Sequence, residues 1–424
     1  MGARPASAVE PRRLRATGRR SVPWPVVVGL PLLTVCGLIA AWRDLIPGVS
    51  YWDNAVGALV ASVRVTGPVA AGIAALIASR HPRERTWSGM GRSAGVATAS
   101  YIILTLGVCA KTLWYDAPGQ LVAGGVLAGL AALLSHVIVG HMAGALVRSP
   151  VTAPVVAAAC YLATGWVLAR DDAWWRLLAP TATPPETVFT QWRPSVLHAQ
   201  LAWYAGFAGL IAAGYALAVL RRRALIVPLV LTVAVAATGV AQLHRYRGDA
   251  LTVSAATDLT CRDWPLTICV HPALRDALPG LEYAAMPVAE RLDGTPGEFR
   301  RLVQLRVGTG PRDAGRGAGW LTLRTLSDGY EDAAMMSMVR RLPDARACSA
   351  PHAEHAYTNL VLTWLGTGRV ERDTAKARVF ARMGEPRRRA WLRAHYDRFR
   401  TCDLRAEDFT WRAAGTRSAY AQSG

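Results

Sequence analysis

RRRALIVPLVLTVAVAATGVAQL, residues 221–243, joins three arginines to an unbroken apolar run and divides the chain into two unlike halves. Its apolar part, 225–243, would be about 28 Å long as a helix, close to the thickness of a bilayer's hydrocarbon core. Cationic flanks are retained on the cytoplasmic side of a membrane. With Arg221–Arg223 held inside, Leu243 emerges outside, and everything after it is expected in an extracytoplasmic compartment.

Working back toward the N-terminus, the same pattern recurs. Hydrophobic residues make up 52% of the 424 and mean hydropathy is +0.20, which points to several spans rather than to large soluble domains. Apolar runs at about 25–42, 63–78, 95–114, 121–147, 151–169 and 201–220 precede 225–243, giving seven expected spans in a domain covering 25–243. Basic residues alternate with them. Arg4, Arg12, Arg13, Arg15, Arg19 and Arg20 lie in a polar tail over 1–24, expected to be disordered; Arg80, Arg83, Arg85, Arg92, Arg148 and Arg221–Arg223 follow in the even-numbered connections. The odd-numbered ones hold only Arg43, Arg170, Arg176 and Arg193. That imbalance predicts N-terminus in and C-terminus out. Arg64 interrupts the second apolar region, so 51–64 reads as an interfacial helix, with Arg64 snorkelling to the outer headgroups. Gly125-x-x-x-Gly129 and Gly140-x-x-x-Gly144 are small-residue spacings that let helices approach closely.

Beyond Leu243 the period changes. Amphipathic helix is expected over 281–292, strands over 299–307 and 320–326, then helices near 330–341, 353–366, 373–383 and 386–400. The fold class is an all-α polytopic bundle followed by a small α+β extracytoplasmic domain over 244–412, with a disordered tail at 413–424. Of seven cysteines, Cys36, Cys109 and Cys160 sit in apolar runs as small hydrophobes, while Cys261, Cys269, Cys348 and Cys402 all fall in this domain. An even number suits an oxidising compartment. Of the three connectivities four cysteines allow, Cys261–Cys269 and Cys348–Cys402 are expected.

Chemistry is sparse. The net charge of +19 is spread along the chain without an aromatic-interleaved basic stripe, so nucleic acid is not an expected partner. The glycine-rich stretch 308–319 has no Gly-Lys-Ser/Thr ending and is no phosphate cradle. Cys348, His352 and His355 form the one metal-like spacing, but Cys348 has a competing role in a disulfide and the cluster reads first as polar helix-start residues. His136 and His141 fall in the fourth span. His136 is expected to hydrogen-bond a neighbouring helix rather than relay protons, and His141 to lie at the inner interface. No nucleophile comes with a motif. No enzyme activity and no cofactor are expected.

Two stretches resemble a known family. VRVTGPVAAGIAALIASRHPRER (63–85) resembles the second-span region of type 2 ABC transporter permeases from GC-rich Gram-positive bacteria. CVHPALRDALPGLEYAAMPVAERLDGTPGEF (269–299) resembles the start of the external domain in a poorly characterised branch of such proteins. The span count departs from the six-span permease with both termini inside. The resemblance implies an export permease in contact with membrane lipids, forming a homodimer or pairing with a second permease, and docked to a separate cytoplasmic ABC ATPase. Arg83, Glu84, Arg85 and Trp87 are the candidate ATPase contacts, on the longest inner connection. From a different class comes the alternative of a non-transporting anchor whose external domain binds a ligand or partner protein.

Overall fold

The structure is a computed structural model that describes residues 24–80, 87–179, 188–221, 223–246, 252–254, 258–306, 317–349, 355–370 and 374–409. The expected N-terminal and C-terminal tails lie outside the described residues, apart from Trp24.

The first half is helical: α1 (Trp24–Asp44), α2 (Trp52–Arg80), α3 (Trp87–Trp114), α4 (Ala123–Leu146), α5 (Thr152–Leu168), the single turn α6 (Ala173–Arg176), α7 (Pro194–Leu220) and α8 (Ile226–Arg245). Six of these, α1 to α4 with α7 and α8, are long and apolar enough to cross a membrane, while α5 is apolar but has 17 residues. The bundle is organised around α2. Its apolar window is 67% buried against 11% for α8, which makes α2 the core helix and α8 a peripheral one. Alanines and glycines explain this, because a helix without bulk can be approached from every side. Gly140 and Gly144 of α4 lie on the backbone of Ala71 and Ala75, where an added Cβ would overlap the carbonyl oxygens. Gly125 lies instead on the Val56 side chain, and Gly129 makes room for the Tyr101 hydroxyl of α3. In the α7–α8 hairpin, Gly206 faces Ala236 and Gly239 faces Trp203, a pairing that no sequence spacing had marked.

The expected break between an interfacial helix at 51–64 and a span is absent. α2 is one helix of 29 residues, about 43 Å long, and its first three turns are enclosed by protein. Arg64 is half-buried within it, near enough to Asp44 at the end of α1 for their charges to interact. A carboxylate at the end of α1 therefore replaces part of what the headgroups were expected to supply.

The second half is a small α+β domain. A two-stranded ribbon of β1 (Thr190–Trp192) and β2 (Thr252–Ser254), antiparallel with Thr190 opposite Ser254, ties the entry of α7 to the chain leaving α8. Then come β3 (Thr260–Arg262), β4 (Thr267–Val270), α9 (Leu278–Leu292), β5 (Arg301–Gln304), β6 (Ala318–Leu321), α10 (Tyr330–Val339), α11 (Ala345–Cys348), α12 (His355–Thr367), α13 (Ala375–Arg382) and α14 (Glu385–Arg400). The sheet order is β3-β4-β5-β6. β3 and β4 form an antiparallel hairpin, and β4, β5 and β6 run parallel, with α9 crossing between β4 and β5. α9 buries Leu278, Leu281, Ala285, Val288 and Leu292, one stripe of an amphipathic helix. Phe380 is the hub of the helical half, edge-on to Trp364, Trp391 and Phe409. The cysteines pair as expected: Cys261 with Cys269 across the hairpin, and Cys348 of α11 with Cys402 just after α14.

Candidate functional site

The described residues converge most clearly where this domain meets one end of the bundle. The α1–α2 connection contributes Ile46, Val49 and Tyr51, and residue Val188 precedes β1. All four are buried in the same hydrophobic cluster as Leu266, Leu274, Leu281 and Leu321 of the domain. Gly48 adopts a positive φ of 70° and lies on Leu326, whose N–H donates to the Pro47 carbonyl at 3.0 Å. A side chain at position 48 would be strained and would also collide with Leu326.

His271, in the Cys-Val-His-Pro stretch after β4, is the pivot. Its backbone N–H donates to Gln304 Oε1 at 2.8 Å, and Gln304 Nε2 donates on to the Leu323 carbonyl at 2.9 Å. Its Nδ1 accepts from the Ala273 N–H at 3.1 Å and so caps the 3₁₀ turn Pro272–Ala277. That geometry leaves the ring proton on Nε2. The ring stands edge-on to Tyr51 and Phe189, with centroids 6.3 and 5.4 Å away. Burial lowers its pKa from 6.5 to about 4, so the imidazole is neutral at neutral pH.

Charged contacts rim this apolar centre. Arg275 pairs with Asp116 at 3.2 Å and donates to the Tyr115 carbonyl at 3.1 Å, which engages the α3–α4 connection. Arg306 donates to the Phe189 carbonyl at 3.1 Å. Beneath the junction, Asp53 at the start of α2 accepts from the Trp192 backbone N–H, and the Trp192 indole donates to the Asp53 carbonyl, both at 2.9 Å and both buried. The domain therefore grips the α1–α2 connection, the α3–α4 connection and the segment before α7. The connections carrying Arg148, and Arg221 with Arg223, lie at the opposite end.

Other expected residues are placed differently. Arg83, Glu84 and Arg85 lie outside the described residues; Trp87 is the first residue of α3, and its side chain is also outside them. With α2 running to Arg80 and α3 starting at Trp87, the connection between them is only 81–86. His352 lies outside the described residues, Cys348 is in its disulfide, and no group of three His, Cys, Asp or Glu side chains suited to a metal occurs among the described residues. His136 bonds the Ala132 carbonyl of its own helix at 2.8 Å, not a neighbour, because its ring abuts Gly67 of α2, which offers no polar side chain. His141 is buried at 1% exposure, packed inside the bundle toward the end of α4.

The 269–299 stretch stood out in the sequence, but its role did not. Ile46 and Val49 were the available signal: apolar residues in a short connection that should otherwise be polar. No known protein family, no curated protein and no solved structure matches this chain.

Proposed function

We propose that this chain is a seven-span membrane protein that fixes its C-terminal domain on the extracytoplasmic side, as an anchored module that binds a ligand or partner protein. One observation carries the reading: the domain and the span connections share a single hydrophobic core. Separating them would expose Ile46, Val49, Tyr51 and Val188, at roughly 1.5–3 kcal/mol each, or on the order of 6–12 kcal/mol before the polar rim is counted. A module flexing on a tether needs no such core. A bundle that opened and closed at this end would have to split it.

Support for the seventh span comes from α5. It starts at the arginine-bearing end, lies along α2 with Ala153 and Ala157 against Gly72, and leads to Leu177, which packs on Val196 and Leu243 near the junction. Its length of about 26 Å suffices for a thin or locally thinned bilayer. The outward assignment rests on the arginine distribution and on two disulfides confined to the domain.

The competing reading, an exporter subunit driven by a cytoplasmic ATPase, draws on the resemblance in 63–85 and 269–299. It requires nucleotide-driven motion to enter through 81–86 and Trp87. Affinity purification of the full chain separates the two. Recovery of an ABC ATPase with the wild type, lost on E84A/W87A at unchanged abundance, would replace the anchored-module reading with the exporter. Fusions to a reporter active only outside the membrane test the orientation: active after Gly248, silent after Arg85. Activity reversed between the two would overturn it.

A further inference from the structure

The membrane-facing side of the α7–α8 hairpin carries a furrow of about 580 Å³. It follows from the way the hairpin closes. Gly206 lies on Ala236 and Gly239 on the Trp203 backbone, which brings the two helices close together. Trp203 and Leu210 of α7 then form one wall, and the small side chains Ala237 and Ala241 of α8 the other. From Val233 to Arg245 the furrow runs about 18 Å, more than half the depth of a bilayer's hydrocarbon core. Most of that length is apolar. Its end is not: His244 and Arg245 line it in the last turn of α8, and Trp174 of α6 stands edge-on to the His244 ring with centroids 4.9 Å apart. Both basic residues are exposed, and neither forms an ion pair within 4 Å among the described residues. No carboxylate occurs among the described residues of the lining; Asp171 and Asp172, just before α6, lie outside it.

Chemistry narrows what can lie there. α8 is the peripheral helix of the bundle, with 11% of its apolar window buried, so the furrow opens to hydrocarbon along most of its length. A single acyl chain matches a narrow apolar channel of that length. Tryptophan beside the basic end marks the level of the headgroups, where an unpaired guanidinium meets phosphate oxygens. A second copy of the chain fits less well. Packed here about a two-fold axis along the membrane normal, it would bring its own Arg245 to the same level, like charge against like. We propose that the furrow is a binding site for one anionic phospholipid, with an acyl chain between α7 and α8 and the headgroup phosphate held by Arg245 and His244. The inference needs only that α8 crosses the membrane, and it is independent of which end faces out.

The test uses the full chain in a neutral detergent, titrated with phosphatidylglycerol or with phosphatidylcholine of the same acyl chains, and counts bound lipid by native mass spectrometry. One phosphatidylglycerol should be held about fivefold more tightly than phosphatidylcholine, the effect of one arginine at a membrane surface. H244Q/R245Q should abolish that preference. A237L/A241L, which fills the furrow and leaves its charges, should weaken both lipids several-fold. R43Q removes an exposed arginine from the last turn of α1, away from the furrow, and should bind as wild type does. All five positions are exposed, and an unchanged thermal midpoint shows that each variant is folded. Equal retention of the two lipids by wild type, a preference that survives H244Q/R245Q, the same loss in R43Q, or no effect of A237L/A241L would each overturn the proposal. So would a wild-type dimer that retains no lipid and is split by A237L/A241L, which would give the furrow to a second copy. The reporter fusions after Gly248 and Arg85 do not bear on this result, so the lipid site and the orientation of the domain can fail separately.

Discussion

The burial of His271 makes stability at the junction depend on pH in a defined direction. The imidazole titrates near 6.5 in an unfolded chain and at about 4 in the folded one. Between those values the unfolded chain binds a proton that the folded chain does not, so stability is fully present above pH 6.5 and falls as pH drops toward 4. At about 1.36 kcal/mol per pH unit, the loss at pH 4 is about 3 kcal/mol, a ceiling because any water reaching the charged ring reduces it. His271→Asn removes the titration while keeping an acceptor for the Ala273 N–H, a role asparagine fills well at helix starts. It also removes two edge-on ring contacts, to Tyr51 and Phe189, costing roughly 1–3 kcal/mol at every pH. The assay is amide exchange of 45–51 and 267–274 in the detergent-solubilised chain at pH 7 and pH 4, which reads the free energy of opening this region. Wild type should lose about 3 kcal/mol more than the variant over that interval, since all other titrating groups are common to both. Parallel losses would mean that His271 is not buried and neutral, and the packing at the junction would have to be redrawn.

Three further outcomes follow from named contacts. Asp53→Ala leaves the buried Trp192 N–H without its acceptor and should destabilise the chain by about 1–3 kcal/mol, with Asp53→Asn milder, read as thermal midpoints. Gly140→Leu drives a side chain into the Ala71 carbonyl and should abolish a monodisperse species on size exclusion, whereas Gly165→Ala, with open space around it, should leave the elution unchanged. Peptide mass spectrometry without reduction should recover Cys261–Cys269 and Cys348–Cys402. The second closes a loop of 54 residues against 8, so in the chain-entropy model its loss should cost about 4 kcal/mol against about 2.5, and the reverse order in denaturant midpoints would contradict that account.

Much of the architecture was legible without coordinates because its signals are local. Length and hydropathy marked the apolar helices, and the 3-4 spacing of Leu281, Ala285, Val288 and Leu292 marked α9 from its second turn on. Pro386 placed the start of α14, and Gly140-x-x-x-Gly144 marked a close helix contact. Arg64 misled, because a charge in an apolar run argues for a break only when no partner is known. Asp44, its electrostatic neighbour, comes from another helix. The strands β1, β2, β3 and β4 were missed because three or four residues carry no usable period; they exist only because a partner strand supplies their hydrogen bonds. The junction was invisible for a related reason. Tyr51, Phe189 and His271 lie far apart in the chain, and no spacing announces the set. Sequence by itself determined which segments are helical and apolar, since those properties depend on neighbours three or four residues away. Tertiary structure decided which distant groups share a core and which polar groups pair across it, since burial and hydrogen-bond satisfaction depend on what the rest of the chain brings to the same place.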